Sequence, residues 1–249
     1  MKKITVLIPC YNEEKGVQKV IRGIPVEKLR RLGFKTEVVV IDNNSTDKTS
    51  SVAKKLGATV LFEPKKGKGN AMKLGFSYIN LDTDYIIMLD GDDTYKGYEI
   101  PRLVEPLDSG FCDVVVGSRL LGKINKGAFK FSNRIVNWGY AFMVRHFYRA
   151  NVTDVLSGFF AWRKEALDDL KIHLNSDGFA IEMEMITKMV KMGHSVYSVP
   201  ITYDVREGES KISSFADGFR ISKMFLRNFT WKPTQPEKQK IEIDIEQAI

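Results

Sequence analysis

Short, continuous apolar runs that alternate with segments of helical period restrict this chain to an α/β fold. Ile4–Ile8 is apolar and ends at Pro9, Glu37–Ile41 ends at Asp42, and Thr59–Phe62, Tyr85–Leu89 and Asp113–Val116 follow. Such runs read as strands of a mostly parallel sheet buried on both faces, since a half-solvated strand would alternate apolar with polar. Between them, Val17, Val20, Ile21 and Ile24 give Glu13–Ile24 a helical spacing. Ser45 and Asp47 are N-cap candidates for a helix through Lys55 that stops at Gly57, and Gly69–Ile79 reads as a further helix. In a sheet of this kind ligands bind at the carboxyl ends of the strands.

The second half predicts an aromatic-rich helix over Phe131–Arg149, a helix over Phe179–Met192 stopped by Gly193, and a strand Val196–Val199 closed by Pro200. Ser213–Trp231 reads as a basic amphipathic helix, and the charged, proline-bearing residues after Lys232 as a largely disordered tail. The expected organisation is a domain over residues 1–212, a helix over 213–231 and a tail over 232–249. No segment reaches the ~18 apolar residues of a bilayer span. Met1-Lys2-Lys3 runs straight into a strand pattern, so no signal peptide is expected and the chain reads as cytoplasmic or peripheral. Cys10 and Cys112 read as reduced thiols near core strands. The net charge of +7 points to an anionic partner without choosing among nucleic acid, acidic lipid and phosphorylated substrate.

The residues after the strands carry the chemistry. Leu89-Asp90-Gly91-Asp92-Asp93-Thr94 puts three carboxylates in four positions directly behind an apolar run. Like charges this close repel, and a divalent cation bound to a diphosphate offsets them, because Mg2+ and Mn2+ take carboxylate and phosphate oxygen. An acidic turn, in which Asp and Gly merely suit the backbone, is the simpler alternative. Asp42 closes the second strand, and Pro9-Cys10-Tyr11-Asn12-Glu13 closes the first. A ring that can stack on a base and carboxylates that can accept hydrogen bonds therefore meet the acidic cluster on one sheet edge.

Ile8-Pro9-Cys10-Tyr11-Asn12-Glu13, the Asp42 segment, Asp90-Gly91-Asp92 and Gly117-Ser118-Arg119 together resemble the family 2 inverting glycosyltransferases, which have the glycosyltransferase-A fold. Ser157-Gly158-Phe159, Glu182 to Glu184, Val199-Pro200-Ile201 and Arg206-Glu207-Gly208-Glu209-Ser210-Lys211 are similar to the dolichyl-phosphate and polyprenyl-phosphate hexosyltransferase branch. The resemblance spans residues 4 to 212. It implies a single catalytic α/β domain that moves a hexose from a nucleotide-sugar donor to a lipid phosphate. It implies that Pro9, Tyr11, Glu13, Asp42 and Asp90 line the nucleotide pocket, and that Asp90 and Asp92 hold Mg2+ or Mn2+. It implies that Asp92, Arg119, Arg206 and Lys211 serve catalysis, and that Arg119, Lys130 and Arg134 meet the acceptor phosphate. Two positions depart from the mannosyl pattern. Asn43-Asn44 stands where many relatives have an acid and Gly, and Thr94 where Gln is common. Both favour UDP-glucose or UDP-N-acetylglucosamine over GDP-mannose.

A lipid monophosphate is mostly a dianion at neutral pH and needs cations that align it rather than a strong base. Arg206 and Lys211 flank Gly208 in a segment able to fold over a diphosphate. Lys65-Lys66-Gly67-Lys68-Gly69 is no Walker loop and reads as a solvated loop before a helix, the alternative being an active-site role at that helix N-terminus. His146, His173 and His194 lack ligand spacing, and Trp138 with its aromatic neighbours reads as packing. Phe215, Phe219, Leu226 and Phe229 share a helical face widened by Ile221, Met224 and Phe225, with Arg220, Lys223 and Arg227 beside it. That composition suits a membrane surface, the alternative occupant being the chain's own domain or a membrane-anchored partner subunit. No nucleic-acid-binding motif appears, and the acidic cluster opposes a simple basic face. A nucleotidyltransferase would need a glycine-rich basic fingerprint where Pro9–Glu13 stands. A soluble glycan or protein acceptor fits the same donor motifs. A non-enzymatic membrane adaptor is disfavoured by the intact Asp90, Asp92, Arg206 and Lys211.

Overall fold

A computed structural model of the chain describes residues 1–208 and 214–233. Lys211 and residues 234–249, where most of the expected tail falls, lie outside the described residues. The strands are β1 (Lys2–Cys10), β2 (Phe34–Asp42), β3 (Thr59–Phe62), β4 (Tyr85–Leu89), β5 (Val114–Ile124), β6 (Phe159–Arg163) and β7 (Val196–Tyr203). The helices are α1 (Glu14–Gly23), α2 (Val26–Arg31), α3 (Thr49–Lys55), α4 (Lys68–Tyr78), α5 (Ile100–Asp108), α6 (Phe131–Tyr148), α7 (Lys164–Lys171), α8 (Ile181–Lys191) and α9 (Ser214–Thr230).

Among the described residues seven strands form one sheet in the order β3-β2-β1-β4-β6-β5-β7. β3, β2, β1 and β4 run parallel, as the apolar runs require, and β5 pairs parallel with β7. β6 inserts between β4 and β5 antiparallel to both, so the sheet is mostly rather than wholly parallel. Successive side chains feed opposite cores. Leu7 joins α4, α6, α7, α8 and α9 on one face, while Ile4, Val6 and Ile8 join α1, α2 and α5 on the other. Burial on both faces is what makes β1, β2 and β4 readable as unbroken apolar runs.

Several elements differ from the sequence reading for identifiable reasons. β7 continues through Pro200 to Tyr203, because it is an edge strand whose outer side needs no ladder donor. β5 extends to Ile124 as a mostly exposed ribbon with β7 beyond an irregularity after Ser118, where Arg119, Gly122 and Lys123 interrupt the apolar residues. α5 carries Pro101 in its first turn and Pro106 inside, which hid it. Ile221, Met224 and Phe225 do not widen the outer face of α9. They are buried in the core, and Asn228 Nδ2 reaches Thr187 Oγ1 of α8 at 2.8 Å. Phe215, Phe219, Leu226 and Phe229 remain exposed on the other side. α9 is therefore docked on its own domain by one face and open by the other.

Trp138 does not pack inward, although Tyr140 and Tyr148 of the same helix do. α6 buries Asn137, Tyr140, Ala141, Val144 and Tyr148, and exposes Phe131, Ile135, Trp138, Phe142 and Phe147. Trp138 stacks on Phe142, and Phe142 on His146, along this outer face. Among the described residues no helix is long and apolar enough to cross a membrane. Cys10 and Cys112 are free and buried, as expected.

Candidate active site

The loops that leave β1, β2 and β4 each hold one residue in the left-handed backbone region: Asn12, Asn44 and Asp93. Asn and Asp tolerate that conformation better than other side chains with a Cβ. The first two loops are laced together. The Asn12 N–H donates to Ser45 Oγ at 2.9 Å, and Asn12 Oδ1 accepts from the Thr46 N–H at 2.7 Å. Glu13 and Glu14, at the start of α1, donate their N–H groups to Thr49 Oγ1 and Asp47 Oδ2. Ser45 thus ties the loops rather than capping α3, and Asp47 serves both α1 and the Thr49 N–H.

A cavity opens at this edge, between the ends of β1 and β4 and the start of α4. Pro9, Tyr11, Glu13, Asp90, Asp92 and Arg206 line it, so six of the expected site residues are brought together. Asp42 is not in the lining. Its carboxylate accepts from the Ser45 N–H at 3.0 Å and from the Ser50 hydroxyl, within the segment that follows β2. Lys130 and Arg134 are exposed at the start of α6, away from the lining. Arg119 is committed elsewhere. Its guanidinium makes a paired contact with the buried Asp154 at 2.7 and 2.8 Å and donates to the Leu156 carbonyl at 2.6 Å. Burial works against both charges, but each ion holds the other, so Arg119 stays above and Asp154 below its ordinary pKa.

Lys68 corrects the reading of its segment as solvated. It lines the cavity and is largely buried, with Nζ 2.7 Å from both Asp90 Oδ1 and Glu182 Oε1. Burial alone would lower the Lys68 pKa, and the two carboxylates outweigh it. The same burial pushes the Asp90 carboxyl up to about 6 against the pull of Lys68, with Asp92 adding to the rise. Arg206 Nη1 lies 3.1 Å from Asp92 Oδ2, and Nη2 contacts Glu13 Oε1. The glycines around Lys68 allow a close backbone approach. A Cβ on Gly67 or Gly69 would sit 2.1 Å from the carbonyl oxygen of Asp177 or Ser176.

Further residues take contacts here that the sequence pattern does not specify. A Cβ on Gly158 would sit 1.9 Å from Asp90 Oδ2, so only glycine leaves room for that carboxylate. Asn43 donates its amide to the Glu63 and Lys65 carbonyls and accepts from the Gly67 N–H at 2.7 Å. An ionised Asp could not make the two donations. Thr94 Oγ1 donates to Asp92 Oδ1 at 2.6 Å, holding that carboxylate in place. Phe179 also lines the cavity. The glycines flanking Lys68 at a helix N-terminus were the available signal for this segment.

The profile of glycosyl transferase family 2 matches residues 5–171. Glycosyltransferase AglJ of Haloferax volcanii is 34% identical over 221 residues, covering 86% of this chain and 68% of that protein. A dolichyl-phosphate hexose transferase of the same organism is 30% identical over 226 residues, covering 90% of this chain and 92% of that protein. Among solved structures, glucosyl-3-phosphoglycerate synthase from Mycobacterium tuberculosis, in complex with Mn2+, UDP-glucose and phosphoglyceric acid, aligns with a TM-score of 0.71. It is 20% identical, and the alignment covers 94% of this chain and 81% of that one, a likeness of fold.

Proposed function

The chain belongs to glycosyl transferase family 2 and is a glycosyltransferase, and from that premise we propose that it transfers a hexose from a nucleotide diphosphate sugar to a dolichyl or polyprenyl phosphate with inversion. The observation that carries this reading is the convergence of Tyr11, Glu13, Asp90, Asp92, Lys68 and Arg206 on one cavity at the carboxyl edge of the sheet. Tyr11 supplies a face for the base, and Glu13 an acceptor for base or ribose. The name of the dolichyl-phosphate hexose transferase, matched over nearly its whole length, supports the acceptor.

Asp90 and Asp92 fit a divalent ion. Among the described residues no three His, Cys, Asp or Glu side chains form a metal-holding group. Two hard carboxylates are what Mg2+ or Mn2+ uses when phosphate oxygens and water complete its shell. An ion held by Asp90 and Asp92 would offset the charge of the departing diphosphate. The acceptor phosphate oxygen forms the new bond to the anomeric carbon as the bond to the diphosphate oxygen breaks on the opposite side. Arg206 and Lys211 supply positive charge for the two phosphate groups. UDP-glucose or UDP-N-acetylglucosamine is the proposed donor over GDP-mannose, on the departures at Asn43 and Thr94.

A lipid acceptor brings the enzyme to a membrane, and we place it on the cytoplasmic face, peripherally bound. The exposed rings of α6 and α9 support this, with Arg134, Arg145, Arg220, Lys223 and Arg227 exposed on the same two helices. Basic residues near an anionic leaflet add ~1 kcal/mol each. A membrane-anchored partner subunit is the second reading of this face. Thermal shift tests the donor, since a ligand that binds only the folded state raises stability by mass action. UDP with Mn2+ should raise the melting temperature more than GDP with Mn2+. A clear preference for GDP overturns the donor assignment, and no response to either overturns the nucleotide site.

A further inference from the structure

The two aspartates present four carboxylate oxygens, and each has a defined surrounding. Asp90 Oδ2 is pressed against Gly158. Asp92 Oδ1 accepts from the Thr94 N–H at 3.1 Å and the Thr94 hydroxyl at 2.6 Å. Asp90 Oδ1 and Asp92 Oδ2 remain for a metal, and each already faces a cation, Lys68 at 2.7 Å and Arg206 at 3.1 Å. Both cations are shared with a glutamate: Lys68 with Glu182, and Arg206 with Glu13. Glu182 Oε2 is buried and has no hydrogen-bond partner among the described residues.

We propose that Lys68 and Arg206 are exchangeable counter-ions of the metal site. A divalent ion entering on Asp90 Oδ1 and Asp92 Oδ2 displaces each cation toward its glutamate, and the displaced cations then meet the donor diphosphate. The inference rests on the proposed function, in which these aspartates hold the metal. Its physical basis is competition. A lysine ammonium and a divalent ion cannot both sit on one carboxylate oxygen, because like charges a few ångströms apart repel strongly in a site poor in water. Glu182 gives Lys68 a second seat, for its unpartnered oxygen can accept the proton donor that leaves Asp90. The consequence is coupling. Metal alone binds weakly because it must displace paired cations, whereas metal with a diphosphate binds well because those cations gain a new anion. Each ligand then raises the affinity of the other by the same factor.

Electron paramagnetic resonance of Mn2+ with the full chain, with and without UDP, tests this without measuring transfer. Lys68→Met removes one competitor, so Mn2+ alone should bind about tenfold tighter, equivalent to ~1.4 kcal/mol, and UDP should tighten it less than in the unaltered chain. Glu182→Gln keeps the competitor and removes its second seat, so Mn2+ alone should bind more weakly while Mn2+ with UDP is nearly unaffected. Glu182→Gln is close in shape and carries the test if Lys68→Met, checked by its melting curve, fails to fold. Unaltered chain that binds Mn2+ with UDP, but variants with unchanged Mn2+ affinity or an equal loss with and without UDP, overturns the exchange alone. Failure of the unaltered chain to bind Mn2+ even with UDP overturns the metal assignment and the exchange with it.

Discussion

Arg119→Met tests how β5 is braced against the segment that holds Asp154. Arg119 leaves β5 and closes a paired contact with Asp154, which also accepts from the Arg119 N–H at 2.9 Å and from Asn137 Nδ2 at 2.6 Å. Asp154 is fully buried and Arg119 nearly so. Removing the cation leaves a carboxylate in low dielectric with only neutral donors. Breaking a buried pair from one side costs ~3–5 kcal/mol, which in a domain of this size lowers the melting temperature by roughly 6–20 °C. The pH dependence has a definite sign. The folded Asp154 carboxyl lies below its ordinary value because Arg119 overrides burial. Its stabilisation is therefore complete above the unfolded value near ~4 and is lost as pH falls through the lower folded value. The gap between unaltered chain and variant should be full at pH 7 and narrow in acid. Arg119→Met with Asp154→Leu removes both charges and should recover much of the loss. Calorimetry at pH 7 and in acid reads all three. A drop of less than ~2 °C for Arg119→Met at pH 7 refutes the brace, because that is under about 1 kcal/mol.

Three further outcomes are expected. Gly158→Ala should abolish Mn2+-dependent UDP binding while leaving the chain folded, because the new methyl displaces the Asp90 carboxylate; isothermal titration with unchanged affinity would contradict the crowding. Lys211→Ala should lower turnover by about 10²–10³ with little change in UDP affinity, the effect of losing a charge donor at the transition state; equal losses in both would assign Lys211 to ground-state binding. Trp138→Glu with Phe219→Glu should abolish flotation with anionic liposomes at low salt and spare UDP binding. Flotation that persists would remove α6 and α9 from the membrane face.

The apolar strands were legible because burial on both faces removes the alternation that otherwise confuses strand with helix. The strand-end carboxylates were legible for a related reason, since acidic residues directly behind buried runs fall on the ligand edge of a parallel sheet. Lys68 was not, because its burial depends on Asp90 and Glu182, which are distant in sequence and meet only in the fold. α6 misled for the opposite reason. It turns Asn137, Tyr140 and Ala141 inward and Phe131, Trp138 and Phe142 outward, so its aromatic residues divide between the two faces and their number alone marks neither. The pairing of Arg119 with Asp154 was not legible either, since the two lie in separate segments. Ion pairs between remote segments leave no local pattern, and they decide most of what the sequence could not show here.

Hexose transfer to a lipid phosphate through Asp90 and Asp92 is tested most directly by one measurement. The full chain is incubated with Mn2+, radiolabelled UDP-glucose or UDP-N-acetylglucosamine, and polyprenyl phosphate in anionic vesicles, followed by partition between butanol and water. Label should enter butanol, depend on the lipid and on Mn2+, and disappear with Asp92→Ala. Label that stays in water, or butanol-soluble product undiminished by Asp92→Ala in excess chelator, would contradict it.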